Sequence, residues 1–149
     1  MFTKACEYGI RSTIFIALKT QRNERCGLHD ISTEIDSPEA YTAKILQLLV
    51  HNGIIESSKG PGGGYQMSKA AAERVSLAHI VEAYEGDWLD RRCGMGLTDC
   101  NEDHPCPIHH QFKNIRENLR NMLQNATIHH LANELDQGHS FLRAVRNRD

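Results

Sequence analysis

A chain of 149 residues, 40% of them hydrophobic, is long enough for one domain with its own core, or for a small domain with an appendage. Its formal charge of −2 excludes a polyanion binder that works through its overall field, so nucleic-acid binding has to come from local placement of charge. No apolar run reaches membrane-spanning length and no signal-peptide pattern opens the chain, so it reads as cytoplasmic without a membrane partner, where clustered cysteines favour ligation over disulfides.

Over residues 4–20, Ile10, Ile14, Ala17 and Leu18 recur at helical spacing and predict a first helix. After a polar loop from Gln21 to Gly27, Leu28, Ile31 and Ile35 predict a short second helix. A third is expected to begin at Ser37 as cap and Pro38 as first helical residue, with Ile45, Leu48 and Leu49 facing the core and Gly53 ending it. Short helix, tight turn and longer helix make a helix-turn-helix.

Beyond Gly53 the period changes. Residues 54–58 and 65–68 read as strands around the glycine-rich tip Lys59–Gly64, a hairpin placed as a wing. The tip lacks the Gly-Lys-Ser/Thr ending of a nucleotide-binding loop. Leu77, Ile80, Val81 and Tyr84 predict a further helix ending at Gly86.

The next stretch concentrates three of the five cysteines, Cys93, Cys100 and Cys106, with His109 at the third position after the last. Thiolates at such density suit an iron–sulfur cluster or zinc, and Gly94, Gly96, Pro105 and Pro107 let a loop wrap a compact object. Ile108, Phe112, Ile115, Leu119, Met122 and Ala126 then alternate steps of four and three, the seam of two helices packed side by side, which predicts a homodimer. A short last helix over residues 128–135 is expected to end at Gly138. The expected class is mainly α with a small β-hairpin wing. Its divisions are a winged helix-turn-helix DNA-binding domain over 1–86, a cysteine-rich loop over 87–107, a dimerisation helix and short C-terminal helix over 108–138, and a mobile tail over 139–149. With no Cys-x-x-Cys motif and no legible substrate cleft, no enzyme is expected.

Three words together, His51–Ile55, Lys59–Tyr65 and the three-cysteine loop before a long helix, resemble the IscR/NsrR-type (Rrf2-like) family of winged-helix iron–sulfur transcription regulators. The resemblance covers about residues 1–130 and implies a homodimer on double-stranded DNA with a two-fold symmetric operator, with repression the commoner mode. It implies that the third helix enters the major groove, where Glu39, Ala40, Tyr41, Ala43 and Lys44 can reach bases and phosphates, Tyr41 being equally placed for the core. It also implies that the wing tip, Lys59, Gly60, Pro61, Gly62 and Gly63, reaches the minor groove; relatives carry arginine where this chain has Lys59. The three cysteines would be cluster ligands. His109 as fourth ligand favours [2Fe-2S], with His104 and His110 as nearby rivals, whereas Glu7 of the partner subunit would favour [4Fe-4S]. This loop holds one residue more between its first two cysteines than the three-cysteine, one-histidine pattern it resembles. The alternative is a regulator with structural zinc on Cys93, Cys100, Cys106 and His109.

Overall fold

The first helix, α1 (Lys4–Gln21), is the post around which the rest is built, in a computed structural model that describes residues 1–144. The expected apolar stripe understates its burial, because every residue from Ser12 to Leu18 is buried. Packed around it are α2 (Leu28–Glu34), α3 (Glu39–His51), β2 (Gly64–Gln66), α4 (Lys69–Arg74), α5 (Leu77–Glu85) and α8 (Ile128–Asp136). A polar side chain can lie in this core when its hydroxyl is satisfied locally, as where Thr13 Oγ1 donates to the Gly9 carbonyl at 2.8 Å.

The helix-turn-helix is α2 and α3, but its turn differs from expectation. Pro38 keeps an extended ψ of 134° and is itself the capping residue, so helical geometry starts at Glu39 and Ser37 lies outside it. The Ser37 hydroxyl is buried without a hydrogen-bond partner among the described residues. Thr42 supplies the local bond instead, donating to the Pro38 carbonyl at 3.0 Å. Ile45 and Leu49 face the core as expected, while Leu46 is fully buried and Leu48 only half-buried. The wedging of α3 between α1, α2 and α5 turns its inner face toward Leu46.

The wing pairs β1 (Glu56–Ser58) antiparallel to β2, with Ser57 opposite Tyr65. Its ladder is shorter than expected, because Ile54 and Ile55 are buried in the core before it begins. Gly63 is required at the tip: a β-carbon there would lie 2.3 Å from the Ser58 carbonyl oxygen. Helix α4 was not foreseen, since its alanine run has no apolar period, yet Ser68 caps it by accepting from the Ala71 amide at 3.1 Å.

From α5 the chain runs through the short α6 (Trp88–Arg91) and the cysteine loop into α7 (His109–Asn125), then folds back as α8. An isolated antiparallel bridge between Ser76 and Thr127 closes this excursion at its base, where the Leu77 amide donates to Ala126 and the Ile128 amide to Val75, each at 2.9 Å. Ile128 and Ala132 of α8 are fully buried in the same core as Ile16 and Ile31. Beyond α8, Leu142 packs against that core and its carbonyl accepts from Arg11 Nη1 at 3.2 Å. Residues 145–149, the end of the tail expected to be mobile, lie outside the described residues. Among the described residues no helix is long and apolar enough to cross a membrane.

Tyr84 ties three helices together. Its ring lies where a β-carbon on Gly9 of α1 would come within 2.3 Å, and its hydroxyl donates to the Ile45 carbonyl of α3 at 2.7 Å. Gly9→Ala should therefore overpack this junction and cost about 1–3 kcal/mol, seen as a lower denaturation midpoint with unchanged denaturant slope. An unchanged midpoint would show that the ring yields freely.

Candidate metal centre and nucleic-acid interface

The cysteine loop is fastened to the first turns of α7 from three directions. Gly94 lies under the Phe112 ring, close enough that a β-carbon would meet Cδ2 at 2.7 Å. Arg116 Nη1 donates to the Arg92 carbonyl at 3.1 Å while its Nη2 faces Cys100 Sγ at 3.6 Å. Lys113 pairs with Glu102. Gly96, at φ +79°, takes the left-handed turn that brings its amide back to the Cys93 carbonyl at 2.9 Å.

Within this frame the four expected donors form two pairs. Cys93 Sγ lies 3.6 Å from Cys106 Sγ, and Cys100 Sγ lies 3.4 Å from His109 Nδ1. His109 is only 3% exposed, and His110 stands outside it with the two rings edge to face at 5.2 Å. Among the described residues no three or more His, Cys, Asp or Glu are gathered into a set that could hold a single metal ion.

The backbone around Cys93 favours its thiolate form. Backbone amides of Met95 and Leu97, aided by the Cys106 thiol and the Gly96 amide, hold the Cys93 thiol below its ordinary range. Desolvation does the opposite at Cys6 and Cys26, which are buried outside the loop and pushed up to about 12. The donor chemistry thus fits a thiolate-held cluster at Cys93, Cys100 and Cys106, with an imidazole beside the second. Glu7 is otherwise engaged: its carboxylate accepts from Lys4 Nζ at 2.8 Å, which holds it below the usual carboxylate range.

The other candidate surface is the outer face of α3 and the wing. Glu39, Ala40 and Lys44 are exposed, Ala43 is half-buried, and Glu39 Oε2 lies 3.3 Å from His29 Nδ1 of α2. Tyr41 resolves between its two readings as a surface residue: it is 36% exposed, with its ring edge to face on Tyr8 at 5.8 Å. Lys59, Gly60, Pro61 and Gly62 are exposed at the wing tip, with Gly63 half-buried beneath them.

Sequence reasoning missed Arg116 and Tyr84 as functional positions. Both sit on predicted helices, but only the tertiary fold brings Arg116 to a cysteine and Tyr84 to α3.

The family model for Rrf2, the iron-dependent transcriptional regulators, matches residues 2–134. The chain belongs to the Rrf2 family. Among curated Rrf2-type relatives, the HTH-type transcriptional regulator IscR of Serratia proteamaculans is 28% identical over 134 residues, covering 90% of this chain and 80% of that protein. The HTH-type transcriptional repressor NsrR of Streptomyces coelicolor is 27% identical over 106 residues, covering 71% and 66%. The solved structure of CymR, the global cysteine regulator of Bacillus subtilis, superimposes with a TM-score of 0.74 at 21% identity, covering 89% and 96%, and shows the shared fold. This Rrf2 chain is a winged-helix transcriptional regulator and not an enzyme. The family description names iron, and the zinc alternative finds no support among these relatives.

Proposed function

We propose that this Rrf2 chain is a homodimeric repressor that binds double-stranded DNA at a two-fold symmetric operator and holds an iron–sulfur cluster on Cys93, Cys100, Cys106 and His109. The observation that carries the reading is the arrangement of those donors as two close pairs on a loop locked to α7. Two pairs suit a [2Fe-2S] cluster in preference to [4Fe-4S], because each of two irons takes two protein ligands and an imidazole can replace a thiolate. The position of His109 beside Cys100, 3.4 Å from its Sγ, supports it as the fourth ligand. When bound, the cluster would supply a centre sensitive to iron supply, redox state or nitric oxide, weakest at its non-thiolate ligand.

The chain's own residues connect that loop to the DNA face. Phe112 and Arg116 hold it on α7, and Leu119 and Leu123 of α7 pack with Val81 and Tyr84 of α5 and with Cys6 of α1. The Tyr84 hydroxyl then grips the Ile45 carbonyl in α3. A change in how Cys93, Cys100 and Cys106 are held is thereby passed to the angle of α3. Two recognition helices must match half-sites about 34 Å apart, so a small reorientation changes affinity. In this reading residues 1–86 form the DNA-binding head, 87–107 the sensing loop, and 108–138 the dimerisation helix followed by the short C-terminal helix that returns to the core.

The test is an anaerobic absorption spectrum of fresh protein with iron, sulfide and zinc measured on the same sample. Visible sulfide-to-iron bands with matching iron and sulfide are expected. A colourless protein that carries zinc and refuses iron and sulfide after anaerobic reconstitution would overturn the sensing reading while leaving the DNA-binding one.

A further inference from the structure

The loop between α1 and α2 reaches the wing. Tyr65 of β2 donates its amide to the Cys26 carbonyl at 2.8 Å, so residues preceding α2 run alongside the hairpin as an attached edge. A β-carbon on Gly64 would come within 2.7 Å of that same carbonyl oxygen, which shows how closely the two backbones lie. From this edge Arg25 projects to the wing tip: a β-carbon on Gly62 would fall 2.5 Å from its Nη1 and 2.7 Å from its Nη2. Loop and hairpin together line an open cleft of about 390 Å³ that includes Arg25, Ser58 and Gly62.

The neighbouring charges are already engaged, and Arg25 is not. Arg22 pairs with Asp136 at 2.6 Å, Glu24 with Lys19 at 2.5 Å, and Asp30 accepts the Gly27 amide at 2.9 Å. On the hairpin, Glu56 Oε2 accepts from Gln66 Nε2 at 3.2 Å. Among the described residues the exposed Arg25 guanidinium has no hydrogen-bond or ion-pair partner. An unpaired guanidinium held against a glycine tip is placed to do what Lys59 on the wing does less well, because it enters a narrow groove as a flat, weakly hydrated cation with a fork of donors.

We propose that Arg25 is a DNA-contacting residue that enters the minor groove beside the wing, supplying from the α1–α2 loop the guanidinium that the wing itself lacks. The inference rests on the DNA-binding reading above. It also assigns a role to Gly62, whose missing side chain leaves room for the guanidinium.

The experiment uses the full chain and a duplex recovered by the wild-type protein from a random-sequence library. Affinity is measured from 50 to 300 mM salt for wild type, Arg25→Ala, Arg25→Lys and, as a wing reference, Lys59→Ala. Arg25→Ala should weaken binding roughly tenfold at fixed salt and reduce the slope of log affinity against log salt by about one, while Arg25→Lys keeps the slope and recovers only part of the affinity. Unchanged affinity and slope in Arg25→Ala, with Lys59→Ala weakened, overturns the proposal and leaves the DNA-binding reading standing. Equal loss in Arg25→Ala and Arg25→Lys with the wild-type slope also overturns it, because the residue would then only brace the hairpin. If the wild-type protein enriches no sequence and shows no salt-sensitive binding, the DNA-binding reading itself falls.

Discussion

Cys100→Ala should strip the protein of the visible absorption and most of the iron that the proposed cluster supplies and shift its affinity for the operator, whereas Cys26→Ala should leave iron content as it was. Cys100 is the sulfur that meets both His109 and Arg116, so its loss opens one donor pair and releases one of the loop's anchors on α7. Removing a group that only orients a metal ligand commonly costs about 10–100-fold in metal affinity, and a ligand itself should cost more. Arg116→Ala is the matching test of the anchor: iron should be retained less tightly, within that 10–100-fold range. Cys26 is a buried thiol pushed up to about 12 and bonded to nothing in the loop, so it is a fair control. Cys100→Ala protein with full iron content and wild-type operator affinity would remove both the ligand assignment and the path from loop to α3.

A double change on α7, Ile115→Glu with Met122→Glu, should convert the proposed dimer to a monomer and weaken operator binding by roughly 10²–10⁴-fold, the loss expected when two linked half-site contacts become one. Ile108, Ile115 and Met122 recur every seven residues and stay 38%, 62% and 49% exposed, while Leu123 on the same helix is fully buried against α5. The helix thus has one face satisfied within the chain and a second apolar line left exposed among the described residues. Light scattering or sedimentation would read the mass directly. A double variant that remains dimeric would place the subunit contact on another face.

The parts of this fold that could be read in the sequence are those where a local pattern and the tertiary environment agree. The helix-turn-helix, the wing and the long α7 belong to that group, because apolar period, turn residues and glycine spacing all point one way. Helix α4 escaped because alanines carry no period, and the α3 face was misjudged at Leu46 and Leu48 because neighbouring helices decide its rotation. Ser37 and Pro38 looked like a cap and a first helical residue, but the extended ψ of Pro38 moved the start by one. At the site, spacing alone named Cys93, Cys100, Cys106 and His109. Their division into Cys93 with Cys106 and Cys100 with His109 is a property of the loop's path over Phe112 and Arg116, and no local pattern encodes it. Arg25 was invisible for the same reason, since its neighbour Gly62 is distant in sequence.

The Ser76–Thr127 bridge fixes where the segment carrying the cysteines begins and ends. Because the backbone hydrogen bonds at Ser76 and Thr127 and the packing of α7 on α5 fix both ends, the cysteine loop is an excursion between anchored points. Lengthening a loop with fixed ends is cheap, about 0.6 kcal/mol even for a doubling. The extra residue between Cys93 and Cys100 is therefore absorbed within the loop at little cost to the fold of the head, while the contacts of α7 with Tyr84 still join the loop to α3.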